Sequence, residues 1–149
     1  MIKIGRANLF KFKKKNKFLI HSVSQTKGGP SLATGPYLWV DDNVSKEELI
    51  KEVLFVISCS QTDLPIQKDL NSFSEQFLSN IGLKRHSEFY KDCLHVSVVL
   101  KDGILSFIPM ANKGSQGFIN VPNVKIAVES NQSIDEKASA LQEALNKSE

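Results

Sequence analysis

The sequence predicts an α+β fold: largely antiparallel sheets from two ββββα-like units related by a pseudo-twofold, with an amphipathic helix inserted between them, in one domain over 1–149. Three observations carry this. A capped-helix pattern occurs twice at a fixed spacing, alternating apolar runs joined by turn residues precede each copy, and apolar residues at intervals of three and four lie between the copies. The first copy is Tyr37–Ser60, YLWVDDNVSKEELIKEVLFVISCS. Ser45 is the helix N-cap: its hydroxyl accepts from the Glu48 N–H while the Glu48 carboxylate reaches back to the Ser45 N–H, the reciprocal pairing of a capping box. Beyond it Leu49, Ile50, Val53, Val56 and Ile57 form one apolar stripe. A shift of 88 residues turns Val40, Asp41, Asn43, Ser45 and Glu48 into Val128, Glu129, Asn131, Ser133 and Glu136, and Val53, Val56 and Ile57 into Leu141, Ala144 and Leu145. The same shift takes Asn8–Lys13 to Val96–Lys101 and Leu19-Ile20 to Phe107-Ile108. The two units therefore span about 7–60 and 95–148.

In chain order, Leu9, Phe10 and Phe12 among lysines, the polar break KKN and the apolar FLIHSV predict a β-hairpin with strands at 7–13 and 17–24. Gln25–Gly35 is a loop punctuated by Gly and Pro, with room for a very short strand at Ser31–Ala33. Tyr37–Val40 is a strand of four, and Lys46–Ser58 the first helix. In the insert, Ile66, Leu70, Phe73, Phe77, Leu78 and Ile81 recur at helical spacing, with Pro65 at the start and Gly82 at the C′ position, which predicts a helix over about 66–81. Ser87–Asp92 adds one helical turn. Cys93–Lys101 alternates, Asp102-Gly103 is a strong two-residue hairpin turn, and Ile104–Met110 returns. Gly117–Val121 and Val124–Glu129 supply short strands separated by Pro122-Asn123, and a last helix runs from Ile134 to about Asn146. Each sheet is expected to be covered by its own helix.

A chain of 149 residues buries roughly two-thirds of the surface its unfolded form exposes, so one core is the expectation. Apolar residues at 41% and charged residues at 23% are globular values, and no apolar run nears the ~20 residues of a membrane span. The N-terminal MIKIGRANLFKFKKKNKF lacks an apolar stretch followed by a small-residue cleavage site, and Cys59 and Cys93 are the only cysteines, without CxxC spacing. A soluble, reduced, cytoplasmic protein is expected. Nineteen basic against 16 acidic residues give a net charge of +3, but five lysines fall within seven positions at Lys11, Lys13, Lys14, Lys15 and Lys17; the remainder, 14 against 16, is net −2.

Little of this suggests reaction chemistry. His21, His86, His95, Cys59 and Cys93 match no zinc spacing. Cys93 and His95, two apart on one strand, share a face, which reads as sheet packing ahead of a metal or thiol site. Gly28-Gly29-Pro30 lacks the Lys-Ser/Thr and helix start of a phosphate loop and reads as a turn. No catalytic residue, metal or cofactor is expected. Asp41, Asp42, Glu47 and Glu48 crowd a helix start, where they complement its dipole or offer a docking patch for a basic partner. The lysine run is a solvated hairpin edge or a phosphate-binding strip on which Phe10, Phe12 and Phe18 would stack bases. Alternation favours packing, because it sends Phe10 and Phe12 to a core face and Lys11 and Lys13 to a wet one. Trp39, the only tryptophan, is assigned to the core.

The segments SLATGPYLWVDDNVSKEELIKEVLFVISCS and GFINVPNVKIAVESNQSIDEKASALQEALNKS resemble the CdiI-type immunity proteins of bacterial contact-dependent growth inhibition systems, in the Gly-Pro, acidic-turn and Ser-x-x-Glu helix pattern. The resemblance implies a non-enzymatic cytosolic protein that binds and blocks the C-terminal toxin domain, often a nuclease, of a partner exoprotein. Asp41, Asp42, Glu47, Glu48 and Tyr90 are then the expected partner contacts. Such inhibitors are often acidic, whereas this chain is net +3; its charge departs from the pattern. The repeated four-strand-plus-helix order also resembles the Whirly fold, known from single-stranded DNA-binding proteins. It keeps open an alternative function, single-stranded nucleic-acid binding through Lys11, Lys13, Lys14, Lys15 and Lys17.

Overall fold

The computed structural model describes residues 4–65 and 70–149. Its elements are β1 (Gly5–Phe12), β2 (Lys17–Gln25), β3 (Ser31–Asp41), α1 (Lys46–Ser58), α2 (Leu70–Ile81), α3 (Ser87–Asp92), β4 (Cys93–Lys101), β5 (Ile104–Asn112), a 3-10 turn (Gly114–Gln116), β6 (Phe118–Asn120), β7 (Ile126–Glu129) and α4 (Ile134–Lys147). The predicted helices and hairpins form where their local signals place them. Ser45 and Ser133 both cap, each hydroxyl accepting a 3.1 Å hydrogen bond from the N–H of Glu48 and Glu136 respectively. The return half of the box at Ser45 is not made: the Glu48 carboxylate lies 3.7 Å from Lys51 Nζ one turn on. Asp102 and Gly103 take φ of 54° and 76°, the left-handed pair a type I′ hairpin requires.

One expectation gives way. The strands of both units enter one antiparallel sheet of order β3-β2-β1-β4-β5-β6, with β7 also pairing β5, instead of a sheet for each unit. The join is β1 against β4, registered from Gly5–Leu100 through Leu9–Val96 to Phe12–Cys93, which satisfies backbone groups that each unit alone would leave on an open edge. The 88-residue shift survives in the register: Leu9 faces Ile20 and Phe10 faces Leu19, while Ser97 faces Ile108 and Val98 faces Phe107. A second difference lies in β3, which runs unbroken from Ser31 to Asp41 where the sequence suggested two short pieces. The ladder with β2 jumps from Thr34–Ser22 to Tyr37–His21, so Gly35 and Pro36 are accommodated in a bulge, where a proline without N–H costs no ladder bond.

Alternation decides what each face buries. Ala7, Leu9, Phe18, Ile20, Val96, Val98, Leu105 and Phe107 face α1 and α4, which lie together on one side and contribute Ile50, Val53, Val56, Leu141 and Ala144 to the same cluster. Each large aliphatic side chain closed off there is worth about 1.5–3 kcal/mol. The face expected to be wet, that of Lys11, is thus covered, and the face expected to be core is a second one: Phe10, Phe12, Leu19 and Cys93 pack with Leu78, Ile81, Leu83 and Phe89 from the insert. The insert's helix is predicted over about 66–81; residues 66–69 lie outside the described residues, and α2 ends as foreseen. Gly82 takes φ 76°, the Leu83 N–H reaches Leu78 O at 3.0 Å and the Gly82 N–H reaches Ser79 O at 3.2 Å, a Schellman closure with Leu78 and Leu83 in the same cluster.

The insert is fastened by one side chain from β5. Asn112 Nδ2 lies 3.0 Å from Cys93 O, 3.2 Å from Tyr90 O and 3.4 Å from Phe89 O, while its Oδ1 accepts from the Gly114 N–H at 2.9 Å. Replacing Asn112 with Ala strands the carbonyls at the end of α3 and is expected to cost about 1–3 kcal/mol, read as a lower urea midpoint at unchanged slope. Asn112→Asp keeps the acceptor, loses the donors and should cost at least as much.

Candidate functional site

The residues that carry chemistry by type are mostly consumed by packing. Cys93 and His95 do share a face, but both are buried, with Cys93 Sγ 3.4 Å from Leu94 O. Burial, with Asp92 adding to it, pushes the Cys93 thiol well above its usual range. His95 stacks on Phe10 at 4.3 Å between ring centres and meets Phe118 edge-on at 4.9 Å, and neither of its ring nitrogens has a hydrogen-bond partner. Burial lowers it to about 3, with the His21 charge adding to the effect. His21, on the other side of Phe10 at 5.8 Å, is held at about 4 by burial, against the raising effect of its bond to Ser22 O. A thiol that stays protonated beside an imidazole that stays neutral is not an activated nucleophile. His86 is at the surface, 2.7 Å from Ser74 Oγ, and Cys59 closes α1. Among the described residues, no group of three or more His, Cys, Asp or Glu is placed to hold a metal ion, and no helix is long and apolar enough to cross a membrane. Gly28–Pro30 is a turn, tied down by Gln25 Nε2 on Gly29 O at 2.7 Å and Thr26 Oγ1 on Pro30 O at 2.7 Å.

The remaining charge gathers at one end of the sheet. The β1–β2 turn carries Lys13, Lys14 and Lys15, and Lys17 opens β2 directly opposite Asp41 at the end of β3. The Asp42 N–H donates to Asn16 O at 3.0 Å, so the basic and acidic turns are bonded side by side. Glu47 and Glu48 follow on the first turn of α1. The lysine turn is also pinned to α3. The Lys13 N–H donates to Asp92 O at 3.2 Å, the Lys14 N–H donates to the Asp92 carboxylate, and Lys15 Nζ lies 3.8 Å from Glu88. Lys11 stands apart on the α1/α4 face, its Nζ 5.8 Å from the centre of the Phe18 ring. Tyr90 is half-buried against the cluster under the insert. The structure thus brings Asp41 and Asp42 to Lys13–Lys17 and seats Tyr90 on the insert. Phe10, Phe12 and Phe18 are buried and present no face on which a base could stack.

Two concavities flank the lysine turn, one on each face of the sheet. The first, about 350 Å³, is lined by Lys11, Phe18, Asp42, Lys46 and Leu49 together with Gln142, Leu145 and Asn146 of α4. Subtracting 88 from those α4 positions gives Leu54, Ile57 and Ser58, which with Gly5 and Leu100 line an apolar concavity of about 180 Å³ at the opposite end of the sheet. The second, about 460 Å³, has Trp39 as its aromatic wall, with Lys15, Lys17, Ile81, Gly82 and Leu83. Trp39 is here half-buried and not enclosed, a correction to its assignment to the core: it sits on the outermost strand, facing Leu19 on one side only, with Nε1 donating to Ile81 O at 2.9 Å. The sequence signal for this was its place near the end of a strand that becomes an edge, which only the whole sheet reveals.

A protein-family model described as CdiI, CDI immunity protein, matches residues 10–148. A search of curated proteins gives no match. Among solved structures, a Neisseria meningitidis protein of unknown function superposes with a TM-score of 0.79 at 15% identity, over 99% of this chain and 96% of its own. A chain of a CdiA-CT/CdiI toxin and immunity complex from Yersinia pseudotuberculosis superposes with a TM-score of 0.77 at 13% identity, over 100% of each chain. At such identities the likeness speaks for the fold.

The buried histidines set a pH dependence of stability. Unfolded, each titrates near 6.5; folded, His21 is held at about 4 and His95 at about 3. Within that window the unfolded chain binds more protons, so stability is fully present above about 6.5 and is lost as pH falls toward the folded values. Thermal unfolding is expected to show Tm dropping between about pH 6.5 and about pH 4. His95→Phe, which keeps a stacked ring without titrating nitrogens, should flatten the drop.

Proposed function

This chain belongs to the CDI immunity protein family, and from that membership we propose that it binds and neutralises the C-terminal toxin domain of a cognate contact-dependent growth inhibition exoprotein, in the cytoplasm of the cell that makes both. The family match carries the reading: it runs from Phe10, late in β1, past the end of α4 and so takes in all of the fold but the first part of β1. The likeness to a chain of a toxin and immunity complex supports it at the level of fold. The protein acts by occlusion and performs no reaction, in keeping with a thiol and imidazoles shut into the core. The toxin is a nuclease, whose phosphate-binding surface is basic; the carboxylates of Asp41, Asp42, Glu47 and Glu48 complement such a surface, and Tyr90 is a further contact from α3. A stable inhibitor complex of this kind buries about 1,600 Å² in total.

Co-expression of the toxin domain encoded beside this gene is expected to arrest growth in its absence and to be tolerated in its presence, with the two proteins co-purifying. Asp41→Lys with Asp42→Lys should weaken binding by roughly tenfold or more, chiefly through slower association at low salt. Continued arrest together with no complex would remove the reading. RNA or DNA left intact in cells expressing the unopposed toxin would remove its nuclease part.

A further inference from the structure

We propose that the cleft walled by Trp39 is the anchoring pocket for the toxin domain, and that it takes an apolar side chain flanked by carboxylates from an acidic loop of that partner. The inference rests on the immunity reading and adds to it the point of attachment. The cleft combines what an interface centre needs: an indole held in one orientation, apolar walls from Ile81 and Leu83, and cations at the rim from Lys15 and Lys17. Its volume of about 460 Å³ lies within the range of ordinary binding pockets. Gly82 opens the lip, since a Cβ built there would meet nothing within 4 Å.

Both walls are ordered in advance, so little freedom is lost on binding. The Schellman closure fixes Gly82 and Leu83, and Asp92 and Glu88 fix the lysine turn. None of the described residues that line the cleft is acidic, Glu88 lies 3.8 Å from Lys15 outside it, and the exposed Lys84 and Arg85 follow Leu83 in sequence. Positive charge around one aromatic face is complementary to an acidic segment. It could as well suit single-stranded nucleic acid, but a strand binder needs successive stacking platforms, and with Phe10, Phe12 and Phe18 enclosed, Trp39 is the one aromatic side chain among the described residues that line the cleft.

The test measures the affinity of the full-length protein for the purified toxin domain of the neighbouring gene, its active site disabled. Trp39→Ala is expected to weaken binding by about 30-fold or more, and Trp39→Phe to restore most of it. Lys15→Gln with Lys17→Gln, both exposed positions, is expected to weaken it about tenfold at low salt, with the difference shrinking as salt rises. Asp135→Asn, at the start of α4 on the far end of the sheet, should change nothing. If the wild type does not bind the toxin domain, the immunity reading itself fails. If the wild type binds and the folded Trp39 and lysine variants bind equally well, the anchor is elsewhere and this inference alone is overturned. A single-stranded oligonucleotide that binds the wild type, and is lost in the lysine variant while toxin binding persists, also overturns it.

Discussion

The pairing of β1 with β4 is the constraint from which the rest of the architecture follows. Each is the first strand of its unit, and the antiparallel ladder between them, from Gly5–Leu100 to Phe12–Cys93, turns two small sheets into one. Once they are joined, α1 and α4 must lie on the same face, because each crosses back over its own unit from the same side. Their apolar stripes then meet each other as well as the sheet, and both contribute to one cluster. The opposite face is left with Phe10, Phe12 and Leu19 uncovered, and the insert between the units supplies the cover. The end of α1 lies close on β1 because residue 5 is glycine: a Cβ there would fall 2.6 Å from Ile57 Cγ2.

What could be read from the sequence was local. The Ser45 and Ser133 caps, the Asp102-Gly103 turn and the glycine that closes α2 depend on residues within a few positions of each other, and each forms where its signal lies. The two capped helices 88 residues apart were legible for the same reason, since each start depends on a Ser and a Glu three positions on. The features that escaped depend on partners far along the chain. Alternation in β1 correctly separates Phe10 and Phe12 from Lys11, but it cannot show that both faces are covered, since one cover comes from α1 and α4 and the other from residues beyond position 70. The two short strands proposed around Gly35-Pro36 are one because β2 absorbs the irregularity in its register. Trp39 was placed inside because a short strand suggests a central one; its strand is outermost, and its exposed flank is visible only once the strand order is known.

The same logic accounts for Cys93 and His95. The histidine and cysteine pair predicted to share a face does so, and the face is a dry one, stacked with aromatic rings. Polar atoms held there without partners reduce stability, so their presence is a matter of packing and not of display. One dense set of surface charges lies where the β1–β2 and β3–α1 turns bond to each other, an end of the molecule pinned to α3. Recognition of another protein needs this kind of preorganised relief more than it needs a reactive centre.

The two capped helices lie over one sheet, yet its two ends are not interchangeable. The concavity beside Lys11, Asp42 and Lys46 is charged, and its counterpart beside Gly5, Leu54 and Leu100 is oily. Ile57 and Leu145 each line one of these concavities and belong to the shared interior as well, so substitutions on them disturb folding, whereas Ser58 and Asn146 beside them are exposed. Sequence change at exposed positions can therefore rewrite the charged pole of this molecule while the frame between the two ends stays as it is.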